Sequence, residues 1–341
     1  MSEDDPPGSG SGRSRFLDER LARLDAPSVP IHRALVLGAT GGVGGALLEA
    51  LVSRKVSVRA MRRWGSSERA MERWGQRQGV QWVVGDVTQR ETLVSAMGGC
   101  TVAFHVAAVL DDGLEGPAAI AAAVDSMRNV LDAAAEAHLA RLVVVGTAHT
   151  VDGTPAAGGQ MDESCRYLPG GGEHWSFEAR YRVELEVLRA AAVGLPVVLV
   201  NPTLCAGAGA VLGQPERWPQ AFVGGGAPRV RDGVVNVIDV RDVAAALVEA
   251  AVRGRSGQRY ILAGHDLTGA QLWARLEALG VKGGLGQRAG ALVGASRWAL
   301  EPWAGAIGRR AGFGARRASA QLGLSPRSLE ETLEGIFGGR A

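Results

Sequence analysis

A short apolar run, Ala34–Leu37, passes directly into Gly38-Ala39-Thr40-Gly41-Gly42-Val43-Gly44-Gly45, and a helix-forming stretch follows. Few local patterns constrain a fold more. Gly38 supplies the backbone freedom that a tight strand-to-helix turn needs. Gly41 lets a diphosphate approach the main chain, and Gly44 lets the helix pack against the strand. The helix start then offers free N–H groups and the positive end of its dipole to an anion. The turn from Gly38 through Thr40, Gly41, Gly42 and Val43 to Gly44 is therefore the predicted dinucleotide contact.

The rest of the body repeats this alternation. Apolar strand runs are expected at Ala34–Leu37, Val56–Met61, Val80–Val84, Val102–His105, Leu142–Val145 and Val197–Val200. Helices are expected between them at Val43–Ser53, Glu68–Gln76, Arg90–Met97, Pro117–Ala137 and Phe177–Val193. The strand runs are continuous in hydrophobicity, as strands buried on both faces are. This order predicts an α/β fold: a doubly wound parallel Rossmann sheet with helices on both faces. After Asn201-Pro202 the pattern loosens into a Gly- and Pro-rich stretch, 206–233. A strand and helix return at Val234–Arg253, a strand at Arg259–Leu262, and the tail from 266 reads as helical with glycine breaks. The expected organisation is a tail with a short helix over 1–30 and a dinucleotide-binding domain over 31–205, completed by 234–263. Residues 206–233 and 264–341 form a smaller substrate-binding lobe. Such a lobe would sit over the carboxyl ends of the strands, where open α/β sheets bind ligands.

Three further strand ends carry chemistry. The second strand runs into Arg62-Arg63, with no acid before Glu68. A carboxylate there would hold a ribose 2′-hydroxyl, whereas arginine accommodates a 2′-phosphate, so NADP is favoured over NAD. The third ends at Gly85-Asp86-Val87, where Asp86 can accept from an adenine amino group. The fourth ends at Phe104-His105-Val106-Ala107-Ala108, where Ala107 and Ala108 let the backbone pass close to the cofactor. His105 reads as a packed strand residue.

Composition excludes several classes. A formal charge of +2 over 341 residues argues against a dedicated nucleic-acid binder. Three dispersed cysteines have no metal spacing and point to a reducing, cytoplasmic setting. No long apolar run predicts a membrane span. The acidic, then Pro-, Gly- and Ser-rich start, Met1 to Gly12, does not read as a signal peptide.

Together these segments resemble the extended short-chain dehydrogenase/reductase family, nearest its dihydroflavonol reductase, 3β-hydroxysteroid dehydrogenase and epimerase/dehydratase-like branch. The resemblance rests on Val36 to Gly44, Gly85-Asp86-Val87, Phe104 to Ala108, Arg128-Asn129-Val130-Leu131 and Gly194-Leu195-Pro196. It continues through Asn201-Pro202-Thr203, Asn236 to Ala244 and Leu322 to Leu329, in the family's order, over roughly residues 31–337. It implies a small-molecule substrate and pairing of two chains through helices near 117–137 and 177–193.

The family's catalytic residues do not carry over. They are an Asn, a Ser or Thr, and a Tyr-x-x-x-Lys pair, in which the phenol is the acid or base and the ammonium lowers its pKa. The chain has two lysines, Lys55 and Lys282, and three tyrosines. The residues four after Tyr167, Tyr181 and Tyr260 are Gly171, Leu185 and Gly264. Counting back from Gly194-Leu195-Pro196 places the family's helix glutamate at Glu184, its Lys position at Arg180 and its Tyr position at Ser176. A two-residue shift gives Glu178 and Arg182. The Asn position falls on Ala123, and the Ser position on Thr147 or Ala148. Thr147, Ser176 and Arg180 are the candidate catalytic residues of a degenerate site, and His149, His174 and Tyr181 lie in the same region. No metal site is expected.

The intact turn at Gly38, Gly41 and Gly44 argues against a scaffold with an empty cofactor cleft, and two functions remain. One is an NADP-dependent oxidoreductase with a rebuilt proton-transfer site, acting on a small apolar carbonyl or alcohol. The other is a non-catalytic NADP-binding sensor, regulator or partner subunit. Trp218, Phe222, Trp273, Trp298, Trp303 and Phe313 in the lobe suit an apolar ligand.

Overall fold

The computed structural model describes residues 28–65, 79–107, 113–151, 159–165, 175–207, 233–278 and 311–337. The predicted helix at 68–76 and the N-terminal segment lie outside these residues.

The main sheet contains β1 (Arg33–Leu37), β2 (Ser57–Arg62), β3 (Val80–Val84), β4 (Val102–His105), β5 (Arg141–Val145), β7 (Val197–Pro202) and β10 (Arg259–Leu262). Between β5 and β7 comes the short β6 (Gln160–Met161). The sheet order is β10-β7-β5-β4-β1-β2-β3, and every neighbouring pair is parallel. β1 lies between β2 and β4, so the chain winds one way from β1 to β3 and the other way from β4 onward. That reversal opens a crevice at the carboxyl ends of β1 and β4.

The alternation of side chains along β1 explains its continuous hydrophobicity. Ala34 and Val36 join one core with Leu47, Leu48 and Leu51 of α1 (Gly42–Ser53) and Val243 and Leu247 of α5 (Val240–Arg253). Leu35 and Leu37 join the opposite core. That core includes Leu93 of α2 (Arg90–Met97), Met127 of α3 (Gly116–Glu136) and Val183 of α4 (Trp175–Ala192). Both faces of the central strands β1, β4, β5 and β7 are buried, so a period-two polar pattern has no place in them. Among the described residues, α1 to α4 begin and end within two residues of their expected bounds. Pro117 falls in the first turn of α3, where its missing N–H costs nothing.

Two small sheets flank the main one. β8 (Leu204–Ala206), β9 (Val234–Asp239) and β11 (His265–Thr268) form one of them. Of residues 234–263, β10 therefore enters the main sheet while β9 pairs outside it. β12 (Gly312–Phe313) pairs with β6, bringing the C-terminal segment against the connection after β5. α6 (Gly269–Ala278), α7 (Arg316–Leu322) and α8 (Leu329–Phe337) complete the described tail. Among the described residues, no helix is long and apolar enough to cross a membrane.

Candidate dinucleotide and catalytic site

The three glycines of the first turn have three different physical reasons. Gly38 has φ +87°, and a Cβ there would lie 2.6 Å from the Cα and N of Ala107. A Cβ on Gly44 would overlap the Gly38 carbonyl oxygen. Both positions are closed by the protein's own backbone. Gly41 is different. Its φ of −80° and ψ of 171° suit any residue, and among the described residues a Cβ there would meet only the Gly38 oxygen, at 3.5 Å. The fold has no need of glycine at 41, yet the surface there is kept bare. Gly41 also precedes α1 without a side-chain cap, and no acid occupies the first turn of that helix. The N–H groups of an uncapped helix start are anion donors. A dinucleotide diphosphate fits this cradle, with Thr40, Gly42 and Val43 on its rim.

Arg62 ends β2 and Arg63 follows it, half-buried and exposed respectively. The Arg62 carbonyl accepts from Gly85 N–H at 3.0 Å, which sets the third-strand loop beside them. In that loop Asp86 Oδ1 accepts from Thr88 N–H (2.9 Å) and Thr88 Oγ1 (2.8 Å), leaving Oδ2 toward any further donor. Val87 is held from the far side, its carbonyl accepting from Asn129 Nδ2 at 3.0 Å. Val106 N–H donates to the Leu37 carbonyl, carrying Ala107 up to the glycine turn. Ala108 lies outside the described residues. His105 is 3% exposed, and burial lowers its pKa to about 4, so it is a neutral imidazole packed inside.

Thr147 caps a 3-10 turn, Ala148–Thr150, directly after β5. Its Oγ1 accepts from His149 N–H at 3.3 Å. Ser176, Arg180 and Glu184 stand four apart along α4, which puts them in one row on the helix. Ser176 and Glu184 are buried, and Arg180 is half-buried. The Arg180 guanidinium donates to the Ser176 carbonyl (3.3 Å) and lies 5.9 Å from the Phe177 ring. In the two-residue-shifted alternative, Glu178 and Arg182 pair with each other at 2.6 Å, and the Arg182 side chain is 55% exposed. Ala123 is buried and has no polar side chain. His149 is buried with its ring edge-to-face on Phe313, at 5.6 Å and 79°. His174 and Tyr167 lie outside the described residues, as do Trp218, Phe222, Trp298, Trp303 and the Trp273 side chain.

Sequence reading missed a polar network beneath Thr147. Glu184 Oε1 accepts from Thr150 Oγ1 and from Asn201 Nδ2 at 2.7 Å, and Oε2 accepts from Arg259 at 3.3 Å. Asn201 Nδ2 also donates to the Thr147 carbonyl at 3.0 Å. Arg259 reaches on to the carbonyls of Glu163 and Cys165 at 2.9 and 3.0 Å. Burial raises the Glu184 pKa, and the Thr150, Arg259 and Asn201 donors oppose that shift. The network also explains Gly146, whose Cβ would fall 2.9 Å from Asn201 Oδ1 and 3.0 Å from Glu184 Oε1. Glu184 and Asn201, beside Pro202 at the end of an apolar strand, were the visible signals; the rest of the network comes from Thr147 with Thr150, from Glu163 with Cys165, and from Arg259.

A family model described as NAD(P)H-binding matches residues 38–253. The chain is 32% identical to a 4-hydroxy-2-methyl-3-oxo-4-farnesyl-3,4-dihydroquinoline-1-oxide ketoreductase from Stigmatella aurantiaca, over 86% of this chain and 92% of that one. It is also 32% identical to a Synechocystis sp. protein named for dihydroflavonol 4-reductase activity, over 68% of this chain and 67% of that one. Its fold is similar to that of a dTDP-glucose 4,6-dehydratase from Streptomyces venezuelae. The TM-score is 0.69 at 18% identity, over 90% of this chain and 98% of that one.

Proposed function

The chain belongs to the NAD(P)H-binding, extended short-chain dehydrogenase/reductase family of oxidoreductases, and we propose that it is an NADPH-dependent reductase of an apolar carbonyl compound. The bare backbone over Gly41 carries this reading, because the described residues give no reason for a glycine there. Gly38, Thr40, Gly41, Gly42, Val43 and Gly44 would hold the diphosphate, and Ala107 with Ala108 would line its path. Arg62 and Arg63 would hold the 2′-phosphate, and Asp86 Oδ2 the adenine amino group. Residues 31–205 with 234–263 form the dinucleotide domain in this reading, and 206–233 with 264–341 the substrate lobe.

When bound, a reduced nicotinamide supplies hydride to the carbonyl carbon. The Thr147 hydroxyl would deliver the proton to the carbonyl oxygen and recover one from water. It is suited to that because it accepts from His149 N–H and keeps its own proton for another acceptor. Glu184, through Asn201, holds the Thr147 backbone in place. Arg180 would hold the ribose, with Ser176 beside it as a hydrogen-bonding group. Arginine keeps its proton throughout the working pH range, so it orients and does not relay. Without a phenol the expected turnover is slower by a factor of roughly 10²–10⁴ than with one. A relative named for a farnesylated quinoline oxide suggests a ring ketone with apolar substituents as substrate.

Pairing of two chains through the outer faces of α3 and α4 belongs to this reading. Arg128 there bridges to Glu186 at 3.1 Å, and sedimentation would measure the assembly. A cytoplasmic setting agrees with Cys100, Cys165 and Cys205 as buried free thiols. The test is NADPH oxidation with a panel of apolar cyclic ketones: consumption with some of them supports the reading. NADPH binding with no consumption across the panel favours a non-catalytic sensor, a role to which Ala123, Ser176 and Arg180 at the family's Asn, Tyr and Lys positions also point.

A further inference from the structure

A third apolar cluster lies apart from the two cores that cover the sheet. It joins Ala148 and Val151, at the turn after β5, to Met161 of β6, Ile261 of β10 and Phe313 of β12. Phe313 belongs to the C-terminal segment and is 4% exposed. Its ring is the edge-to-face neighbour of His149, whose N–H donates to Thr147 Oγ1. One wall of the turn that carries the Thr147 hydroxyl is therefore supplied from the far end of the chain.

The backbone of Phe313 is held from two directions. β12 pairs with β6, Gly312 opposite Gln160 and Phe313 opposite Met161, and the Gly314 N–H donates to the Met161 carbonyl at 2.8 Å. Asp266 of β11 grips the same two strands. Its Oδ1 accepts from the Phe313 N–H at 3.4 Å and from Asn236 Nδ2 at 2.7 Å, and its Oδ2 accepts from Gln160 Nε2 at 3.1 Å. A Cβ on Gly312 would overlap this carboxylate, so glycine there is what lets Asp266 reach the β12 backbone. Asn236 is fixed in turn, its Oδ1 accepting from Thr203 Oγ1 at 2.7 Å and from the Gly264 N–H at 2.9 Å. A chain of contacts thus runs from β9 and β11 through one carboxylate to β12, and ends on the His149 ring. A three-residue 3-10 turn has few hydrogen bonds of its own, so its placement depends on what packs against it. A hydroxyl that delivers a proton must stand within hydrogen-bond reach of its acceptor, where a displacement of about 1 Å can cost a hundredfold in rate. We propose that Phe313, clamped by Asp266, is a positioning residue for Thr147, so that the C-terminal segment completes the proton-delivering turn. The inference rests on the reductase reading above. It adds a division of labour: the glycine turn holds the cofactor without the C-terminal segment, and turnover requires that segment.

The test is a set of double-mutant cycles on the full chain. Phe313→Ala, Asp266→Ala and Asp266→Asn are made in the wild type and again beside Thr147→Val. NADPH affinity is measured by calorimetry, and kcat and KM by NADPH oxidation with the cyclic ketones of the panel, α-tetralone among them. Phe313→Ala and Asp266→Ala should each lower kcat at least about tenfold and leave NADPH affinity unchanged. Asp266→Asn should restore most of the loss, because its amide oxygen still accepts from the Phe313 N–H and Gln160 can turn its own oxygen toward the new donor. Beside Thr147→Val, the same substitutions should lower kcat no further, since the group they position is gone. A general loosening of the fold would instead lower both backgrounds by the same factor, and NADPH affinity with them. Asp266 is exposed, so its variants carry the test should Phe313→Ala fail to fold. An unchanged kcat in Asp266→Ala, or equal losses with and without the Thr147 hydroxyl, would overturn the positioning assignment alone. A wild type that binds NADPH and consumes it with none of the ketones would overturn the reductase reading and the assignment together.

Discussion

The Cα of Gly38 is set against the backbone of Ala107 so closely that one added carbon would come within 2.6 Å of it. The end of β1 and the end of β4 are thereby locked together at the point where the strand order reverses. Gly38→Ala must accommodate this clash and a φ of +87°. The expected cost is about 2 kcal/mol or more, because the left-handed backbone alone costs a non-glycine residue about 1–2 kcal/mol. Thermal unfolding of the variant measures it, and an unchanged midpoint would contradict the described turn.

Gly41→Val separates ligand space from fold space. The backbone at 41 is ordinary extended chain, so strain contributes nothing, and only volume over the turn changes. The variant should unfold within about 1 kcal/mol of the wild type, the typical difference between good and poor residues at a helix start. NADPH binding should disappear in calorimetry. Retained affinity would mean that the diphosphate lies elsewhere.

His105 gives a pH signature. Its unfolded pKa is about 6.5 and its folded pKa about 4, so the unfolded chain binds the extra proton between those values. Its contribution to stability is intact above pH 6.5 and is lost as pH falls toward 4, about 3 kcal/mol in all. His105→Leu keeps the site apolar and removes the titration. Denaturant unfolding from pH 7 to 4 should show a shallower acid slope in the variant. Equal slopes would place the proton uptake on other groups.

Thr147→Val removes the hydroxyl assigned to proton delivery and leaves the Thr147 carbonyl free to accept from Asn201. The predicted result is a fall in kcat of at least about tenfold with little change in NADPH affinity, and Thr147→Ser should restore activity. A kcat that does not move would take the hydroxyl out of the chemistry.

The doubly wound sheet was readable because its signals are local. Ala34–Leu37 is apolar at every position, and both faces of β1 prove to be covered. The glycine turn was readable for the same reason: the backbone freedom expected at Gly38 is its φ of +87°, and the close helix–strand approach expected at Gly44 leaves no room for a Cβ. The site beneath Thr147 was not readable. Glu184 meets Thr150, Asn201 and Arg259, which are up to 75 residues away in the chain, and each alone has an ordinary surface or capping use. Spacing along α4 left two positions for the family's Lys, at Arg180 and Arg182. In the structure Glu184 turns to the β5 end while Glu178 and Arg182 pair outward.

The most direct test of the central claim is a calorimetric titration of the full chain with NADPH and with NADH, repeated on Arg62→Ala and Arg63→Ala. A charge-assisted contact to the 2′-phosphate is worth about 1.5–3 kcal/mol, so NADPH should bind at least about tenfold tighter than NADH. One or both arginine variants should lose that preference while keeping NADH affinity. Equal affinities, a preference for NADH, or a preference that survives both substitutions would contradict the account.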